Sequence, residues 1–252
     1  MDRVLDGRTA LVVGASSGIG RSIALRLTGL GASVVLAARR TEKLETLAAE
    51  IGAAGVVTAD VRIPEDCERI IVEATFAAGA LDLVVYATGT SPLKPLADLD
   101  GPDWSTTLAT NVIGASLVTR AAIPVLSPNA IVAYLSSETV GRPRHSLVAY
   151  AASKAALEEV VRGYRVEHPE VRFACLALGQ TIGTDFGNGF SSDSLGAAWP
   201  SWIANGEMRA RYMDADDLGG CIAEVLAVTL AHPEIDLERF ALRPTGPTLG
   251  LD

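Results

Sequence analysis

Seven apolar runs of strand length, alternating with stretches of helical length, leave this chain few ways to fold. Thr9 to Val13 reads as the first strand, Ser33 to Ala38 as the second and Val56 to Ala59 as a short third. Asp82 to Tyr86, Ile131 to Leu135, Val171 to Ala177 and Arg239 to Leu242 continue the series. Helices are predicted over Gly18 to Leu30, Thr41 to Ile51, from Pro64 onward, Asp103 to Ile123, through Tyr150, and Asp214 to Ala231. Pro64 stands where a first helical turn tolerates proline. Strands that read as unbroken apolar runs are those buried on both faces. The pattern therefore predicts an α/β chain with a parallel sheet and helices on both faces. An α/β chain of this length is expected to form a single domain, residues 1–252.

One region breaks the alternation. Between Gln180 and Met213, Gly183, Gly187, Gly189, Pro200 and Gly206 are expected to interrupt any long element. The same stretch carries Phe186, Phe190, Trp199, Trp202 and Tyr212. A long aromatic loop in a compact domain reads as a cover over a substrate, here residues 180–213. The alternative is a satellite cluster that packs beneath the loop.

Charge and composition narrow the partners. The formal net charge of -9 argues against a nucleic-acid or anionic membrane surface, because both need clustered cations. No run of about 18 apolar residues occurs, so no membrane-spanning helix is expected. The nearest stretch, Cys221 to Ala231, is broken by Glu224. Residues Met1 to Arg8 carry charges and no apolar run, so no secretory signal is expected. Cys67, Cys175 and Cys221 are distant from one another and set among apolar residues, which predicts buried reduced thiols in a cytoplasmic protein. His145, His168 and His232 lack ligand spacing, and no metal site is expected.

Chemistry enters at two places. Gly14-Ala15-Ser16-Ser17-Gly18-Ile19-Gly20 lies between the first strand and the first helix, the context a dinucleotide pyrophosphate needs. Glycines let the backbone approach the ligand, and the helix start offers free N–H groups. At the end of the second strand, Leu36-Ala37-Ala38-Arg39-Arg40 has no acidic residue to bind ribose hydroxyls and repel a 2′-phosphate. Arg39 can make a charge-assisted contact with that phosphate, which favours NADP(H) over NAD(H). The competing reading is a solvent-facing arginine pair at a helix start.

The second place is the stretch from Ser136-Ser137 to Tyr150-Ala151-Ala152-Ser153-Lys154. Tyr150 and Lys154 are four apart and share one helix face. A cation one turn away is expected to lower the phenol's pKa from about 10 and make Tyr150 a usable proton-transfer group. Ser137 ends a strand, where its hydroxyl can meet an oxygen that gains charge as a carbonyl is reduced. Taken alone, a Tyr-Lys pair at this spacing reads as a solvated helix face.

The glycine motif, Asn111, Ser137, Tyr150 and Lys154, in this order and at these separations, resemble the short-chain dehydrogenase/reductase family, and the resemblance covers nearly the whole chain. It implies a Rossmann-like, doubly wound sheet and reversible hydride transfer between a nicotinamide cofactor and a carbonyl or alcohol substrate. By resemblance, Tyr150 is the acid-base group, Lys154 lowers its pKa and holds the nicotinamide ribose, and Ser137 orients the substrate oxygen. Asn111 resembles the family's helix-kinking asparagine, which holds a water in a proton relay behind the lysine. Asp60 and Val61 should flank the adenine. Gly14, Ser16, Ser17, Gly18, Ile19 and Gly20 should cradle the pyrophosphate, with Gly89 and Gly179 bordering the cofactor.

Two departures stand out. Where the family often has Asn-Asn-Ala-Gly, this chain has Tyr86-Ala87-Thr88-Gly89; where it has Pro-Gly, this chain has Leu178-Gly179, followed by Thr181 and Thr184. Either threonine can meet the carboxamide; Thr181 is taken first. The apolar lid points to a hydrophobic substrate, and the resemblance implies a homodimer or homotetramer built on the helices of Asn111 and Tyr150. The same scaffold also admits a catalytically silent cofactor-binding sensor or structural protein, and an epimerase or dehydratase.

Overall fold

The computed structural model describes residues 3–250. The strands are β1 (Thr9–Val13), β2 (Ser33–Ala38), β3 (Gly55–Thr58), β4 (Leu81–Tyr86), β5 (Leu126–Ser137), β6 (Arg172–Leu178), the short pair β7 (Thr181–Ile182) and β8 (Met213–Asp214), and β9 (Arg239–Leu242). Seven of them form one parallel sheet in the order β3-β2-β1-β4-β5-β6-β9. The chain runs outward from β1 through β2 to β3, returns to β4 beside β1, and then builds the other half. This reversal leaves a crevice beyond the C-terminal ends of β1 and β4, where open α/β sheets bind ligands.

Alternation along each strand sends neighbouring side chains to opposite faces. Val12, Leu36 and Val85 join one core with Ile23 and Leu27 of α1 (Gly18–Gly29) and Leu226 of α8 (Ala215–Ala231). Leu11, Val84 and Tyr86 join the other with Ile70 of α3 (Pro64–Ala78) and Leu157 of α6 (Val148–Glu167). Helix α2 (Thr41–Ile51) adds Leu44 and Leu47 to the first core. Helices α1 and α8 touch closely because Gly219 has no side chain: a Cβ there would lie 2.4 Å from Ser22 Cβ. The Ser22 hydroxyl donates to Asp216 and Arg26 Nε to Glu224 (2.9 Å), which ties the two helices along their length.

Four expectations need correction. Strand β5 begins at Leu126, ahead of the Ile131 start, and a register shift against β4 with Asn129 at φ +63 absorbs the polar Pro128-Asn129 step. The helix expected over 103–123 starts earlier because Asp100 and Asp103 form a capping box, and it is not continuous. It consists of α4 (Gly101–Leu108), a π turn (Ala109–Ile113) and α5 (Gly114–Ala122). Residues 180–213 do hold a long element, α7 (Ser192–Ala204), capped by the Ser191 hydroxyl, which accepts from the Ser194 N–H (3.0 Å). Its glycine and proline content is overridden by packing of Ala198 and Trp202 into a third apolar cluster with Leu93, Leu147 and Met208. Lastly, Cys67 and Cys175 are buried and burial pushes both thiols up to about 11, whereas Cys221 is exposed on α8.

Residues 101–125 are long and apolar enough to cross a membrane by length and composition. In the fold they pack beside α3, and Gly114 lets the helix approach the turn after β3: a Cβ there would lie 2.6 Å from the Val61 carbonyl oxygen.

Candidate active site

A cleft of about 560 Å³ opens at the C-terminal ends of β1, β2, β4, β5 and β6. Gly14, Ser16, Ser17, Gly18, Ile19, Gly20, Arg39, Asp60, Val61 and Gly89 line one part of it. Ser137, Tyr150, Lys154, Gly179 and Thr181 line the other. Of the site residues expected from sequence, Asn111 alone is withdrawn from the cleft wall, fully buried behind it.

The glycines of the loop do different jobs. Gly14 sits at φ +95, and a Cβ there would lie 2.9 Å from the Ala87 carbonyl carbon and the Thr88 nitrogen. A Cβ on Gly20 would lie 2.4 Å from the Gly14 oxygen. These two are therefore required by the fit of loop, helix and strand to one another. Gly18, at φ +53, has Thr184 opposite: Thr184 Cα is 3.2 Å from the position of a Cβ. Helix α1 has no side-chain cap and no acidic residue in its first turn, so its leading N–H groups stay free for an anion.

At the end of β2 the two arginines part company. Arg39 is exposed on the cleft rim, close enough for its charge to help lower Asp60, whose carboxyl is held down mainly by Arg62. Arg40, at the N-cap of α2, turns back over the glycine loop and donates to Ser16 Oγ (2.8 Å) and Ser17 Oγ (2.6 Å). It also pairs with Asp185 from the segment after β7. Arg40 first, and the Ser17 hydroxyl second, hold the Asp185 carboxyl below its usual range. Sequence reading chose Arg39; the signal for Arg40 was its place at the helix start.

Around Tyr150 the geometry is tightly held. Lys154 is 2% exposed; its ammonium donates to the Leu135 carbonyl (2.7 Å) and lies 5.8 Å from the Tyr150 ring centre. Ser137 faces the phenol, while its own Oγ accepts from the Thr139 hydroxyl (2.9 Å) and Thr139 N–H (3.2 Å). Asn111 lies in the π turn, a feature frequent at functional sites. Its Nδ2 donates to the Thr90 carbonyl and to Ser153 Oγ, and its Oδ1 accepts from the Thr90 N–H, each at 2.8 Å. Ser153 in turn donates to the Tyr150 carbonyl (2.7 Å). The Asn111 side chain thus braces β4's outgoing loop against α6. Tyr86 supplies a further brace that sequence reading missed: its hydroxyl donates to the Thr110 carbonyl in the π turn (2.6 Å).

The protonation expectation is corrected. Burial pushes the Tyr150 phenol up to about 12, against the opposing pull of Ser137 and Arg144. Burial also pushes Lys154 down to about 8. Desolvation disfavours both charged forms, and it is the largest cause acting on each.

Beyond the phenol, the third apolar cluster walls the cleft. Phe186 stacks at a tilt on Tyr150, centroids 4.8 Å apart, and meets Phe190 edge-on. Gln180 closes the excursion at its base, donating to the Arg209 and Arg211 carbonyls and accepting from the Arg209 N–H (2.9 Å). The Thr181 hydroxyl is engaged by the Gly179 carbonyl (3.0 Å).

Comparison with known proteins fits this geometry. The family model for short chain dehydrogenases matches residues 8–194. The chain belongs to that family. It is an NAD(P)-dependent oxidoreductase acting on a small-molecule substrate. An uncharacterised oxidoreductase of Staphylococcus epidermidis is 30% identical over 190 residues, covering 71% of this chain and 83% of the relative. The 11-beta-hydroxysteroid dehydrogenase 1A of Arabidopsis thaliana is 39% identical over 172 residues, covering 65% of this chain but 49% of the relative. A short chain dehydrogenase from Burkholderia cenocepacia, solved in complex with NADP, superposes with a TM-score of 0.79 at 26% identity, over 96% of this chain and 98% of its own. An alcohol dehydrogenase from Thermococcus sibiricus, complexed with 5-hydroxy-NADP, gives 0.81 at 23% identity, over 97% and 98%.

The two pKa shifts set a pH dependence. The Lys154 ammonium is present below about pH 8 and lost as pH rises through it, whereas the phenol stays protonated through that range. Carbonyl reduction should therefore lose kcat/KM above about pH 8 through Lys154, and Lys154→Met should abolish that limb along with most of the rate. A profile that stays flat until the phenol titrates contradicts this assignment.

Proposed function

We propose that this chain reduces a carbonyl compound, or oxidises the corresponding alcohol, with NADP(H) as the preferred cofactor. What carries the reading is the Tyr150 phenol standing in one cleft with Lys154, Ser137 and the glycine loop. A nicotinamide held by the glycine loop and Lys154 would supply the hydride for carbonyl reduction, or accept it in alcohol oxidation. Tyr150 gives its proton to the nascent alkoxide, and takes it back in the reverse direction. Ser137 donates to the oxygen as its charge grows. Lys154, fixed by Leu135, keeps two ammonium protons for the ribose hydroxyls and favours the phenolate that forms after proton transfer. Asn111 keeps α6 and the Thr90 loop in register, so that Gly89 stays against Lys154.

The cofactor preference rests on Arg39 and Arg40. Arg40 already holds an anion, the Asp185 carboxylate, beside Ser16 and Ser17. A 2′-phosphate would take that carboxylate's place on the guanidinium, with Arg39 at the rim. The NADP complex of the Burkholderia cenocepacia relative agrees with the choice. Asp60 and Val61 would border the adenine, and Thr181 or Thr184 the nicotinamide side. The segment 180–213 serves as the substrate cover.

Homo-oligomerisation as a dimer or tetramer belongs to the same reading, and one helical span supports it. The span 101–125 has a mean hydropathy of 1.3 in its most apolar window, yet only 39% of that window is buried within one chain. Ile113 is exposed there. A second copy would cover this surface.

Mixing the protein with NADPH and a panel of aromatic and aliphatic aldehydes and ketones should give carbonyl-dependent loss of nicotinamide absorbance. NADPH that binds and is never oxidised by any of them points to a silent cofactor-binding protein. Arg40→Ala should weaken NADPH binding by about 1.5–3 kcal/mol while leaving NADH nearly unaffected, and Arg39→Ala should act in the same direction. Equal losses for the two cofactors would contradict the preference.

A further inference from the structure

The aromatic end of the cleft contains one cation that the mechanism does not use. Arg144, in the loop between β5 and α6, lines the cleft and is 13% exposed by its side chain. Its charge acts on two phenols of the cleft, Tyr150 and Tyr212. It donates through one terminal nitrogen to Glu138, the residue after Ser137. That carboxylate is shared, since Arg243 Nε stands 3.6 Å from its other oxygen.

A smaller cavity of about 50 Å³ forms an annex to the cleft, with Glu138, Arg144 and Met208 lining both. Arg142, Arg144, Arg209 and Arg243 line the annex against Glu138 and Glu207. Four guanidinium groups stand against two carboxylates there, an excess of two positive charges in a chain whose net charge is -9, with Arg142 and Arg243 exposed to solvent. Arg142 and Arg209 have no carboxylate within 4 Å among the described residues; they donate to the Gly206 carbonyl (3.0 Å) and the Gly246 carbonyl (3.1 Å). Glu207 accepts from the His145 N–H (3.3 Å) and Asn205 Nδ2 (3.2 Å) and contributes its charge from a distance.

A guanidinium fork matches the two oxygens of a carboxylate. Arg144 lines the cleft together with Phe186, Trp199 and Trp202, so a small molecule that occupies the cleft can present such a group to it.

We propose that the substrate of this chain is an aryl or alkyl carbonyl compound that also carries a carboxylate, its apolar body lying against the aromatic wall and its carboxylate meeting Arg144 at the mouth of the annex. This names the substrate class for the oxidoreductase reading above and rests on it. In its place, a neutral ketone leaves Arg144 with Glu138 as its one carboxylate partner among the described residues. The Arg144–Glu138 pair then has two duties: it closes the loop after β5, and it holds the guanidinium fork toward the cleft.

The test compares 4-acetylbenzoate with its methyl ester, which differ in charge and little in shape. Trp199 and Trp202 line the cleft, so their fluorescence reports binding of either compound with or without NADP⁺. The acid should bind about ten- to a hundredfold more tightly than the ester, and kcat/KM with NADPH should follow the same order. Arg144→Gln should erase most of that ratio. Equal binding of acid and ester to the wild type, or a ratio that survives in Arg144→Gln, overturns the proposal. Should Arg144→Gln fail to fold, the wild-type ratio decides alone. The two readings fail differently: turnover of the ester as good as that of the acid removes only the carboxylate, whereas tight acid binding without NADPH oxidation removes only the hydride transfer.

Discussion

The buried ammonium of Lys154 is the constraint on which the rest of the site depends. A charge so far from water needs a fixed partner, and the Leu135 carbonyl provides it at 2.7 Å. Leu135 lies two residues before Ser137 on the same strand, and Tyr150 lies one turn before Lys154 on the same helix. One hydrogen bond therefore sets the phenol of α6 against the hydroxyl of β5. A turn further along, Glu158 repeats the arrangement by accepting from the buried Ser136 hydroxyl (2.6 Å). Two adjacent strand residues thus serve opposite ends: Ser137 faces the cleft, and Ser136 anchors the helix.

The π turn at Ala109–Ile113 is the second half of the same device. It brings the Asn111 amide to the Thr90 backbone on one side and to Ser153 on the other, while Tyr86 holds the Thr110 carbonyl from below. The family's usual asparagines after β4 are absent from this chain, and these contacts occupy the same region. Buried polar groups of this kind are all satisfied, which makes the network rigid. Rigidity here places Gly89, Lys154 and Tyr150 along one wall of the cleft.

Much of this was legible in the sequence, for identifiable reasons. Parallel strands buried on both faces leave unbroken apolar runs, so β1, β2 and β9 fall where the runs do. The glycine loop and the Tyr-Lys spacing were legible because they are local. What failed depended on tertiary context. The Tyr150 phenol was expected to fall in pKa because its neighbour in sequence is a cation; burial, which sequence does not display, drives it upward instead. Helix α7 was hidden by Pro200, since its stability comes from Ala198 and Trp202 packing rather than from propensity. The turn of Arg40 over the glycine loop was not legible because it depends on where α2 begins. Arg144 carried no local signal at all; its meaning comes from Glu138 and from the arginines brought to it by the loop before β8 and by the segment after β9.

The central claim is that the Tyr150 hydroxyl transfers the proton that accompanies the hydride. Tyr150→Phe removes that oxygen and keeps the ring that packs on Phe186. Turnover of a carbonyl substrate with NADPH by this variant, compared with the wild type at matched NADPH occupancy, is the direct measurement. The account predicts a fall of about 10²–10⁴-fold in kcat with NADPH affinity retained. A variant that turns over like the wild type would show that another group carries the proton, and the assignment of Tyr150 would be wrong.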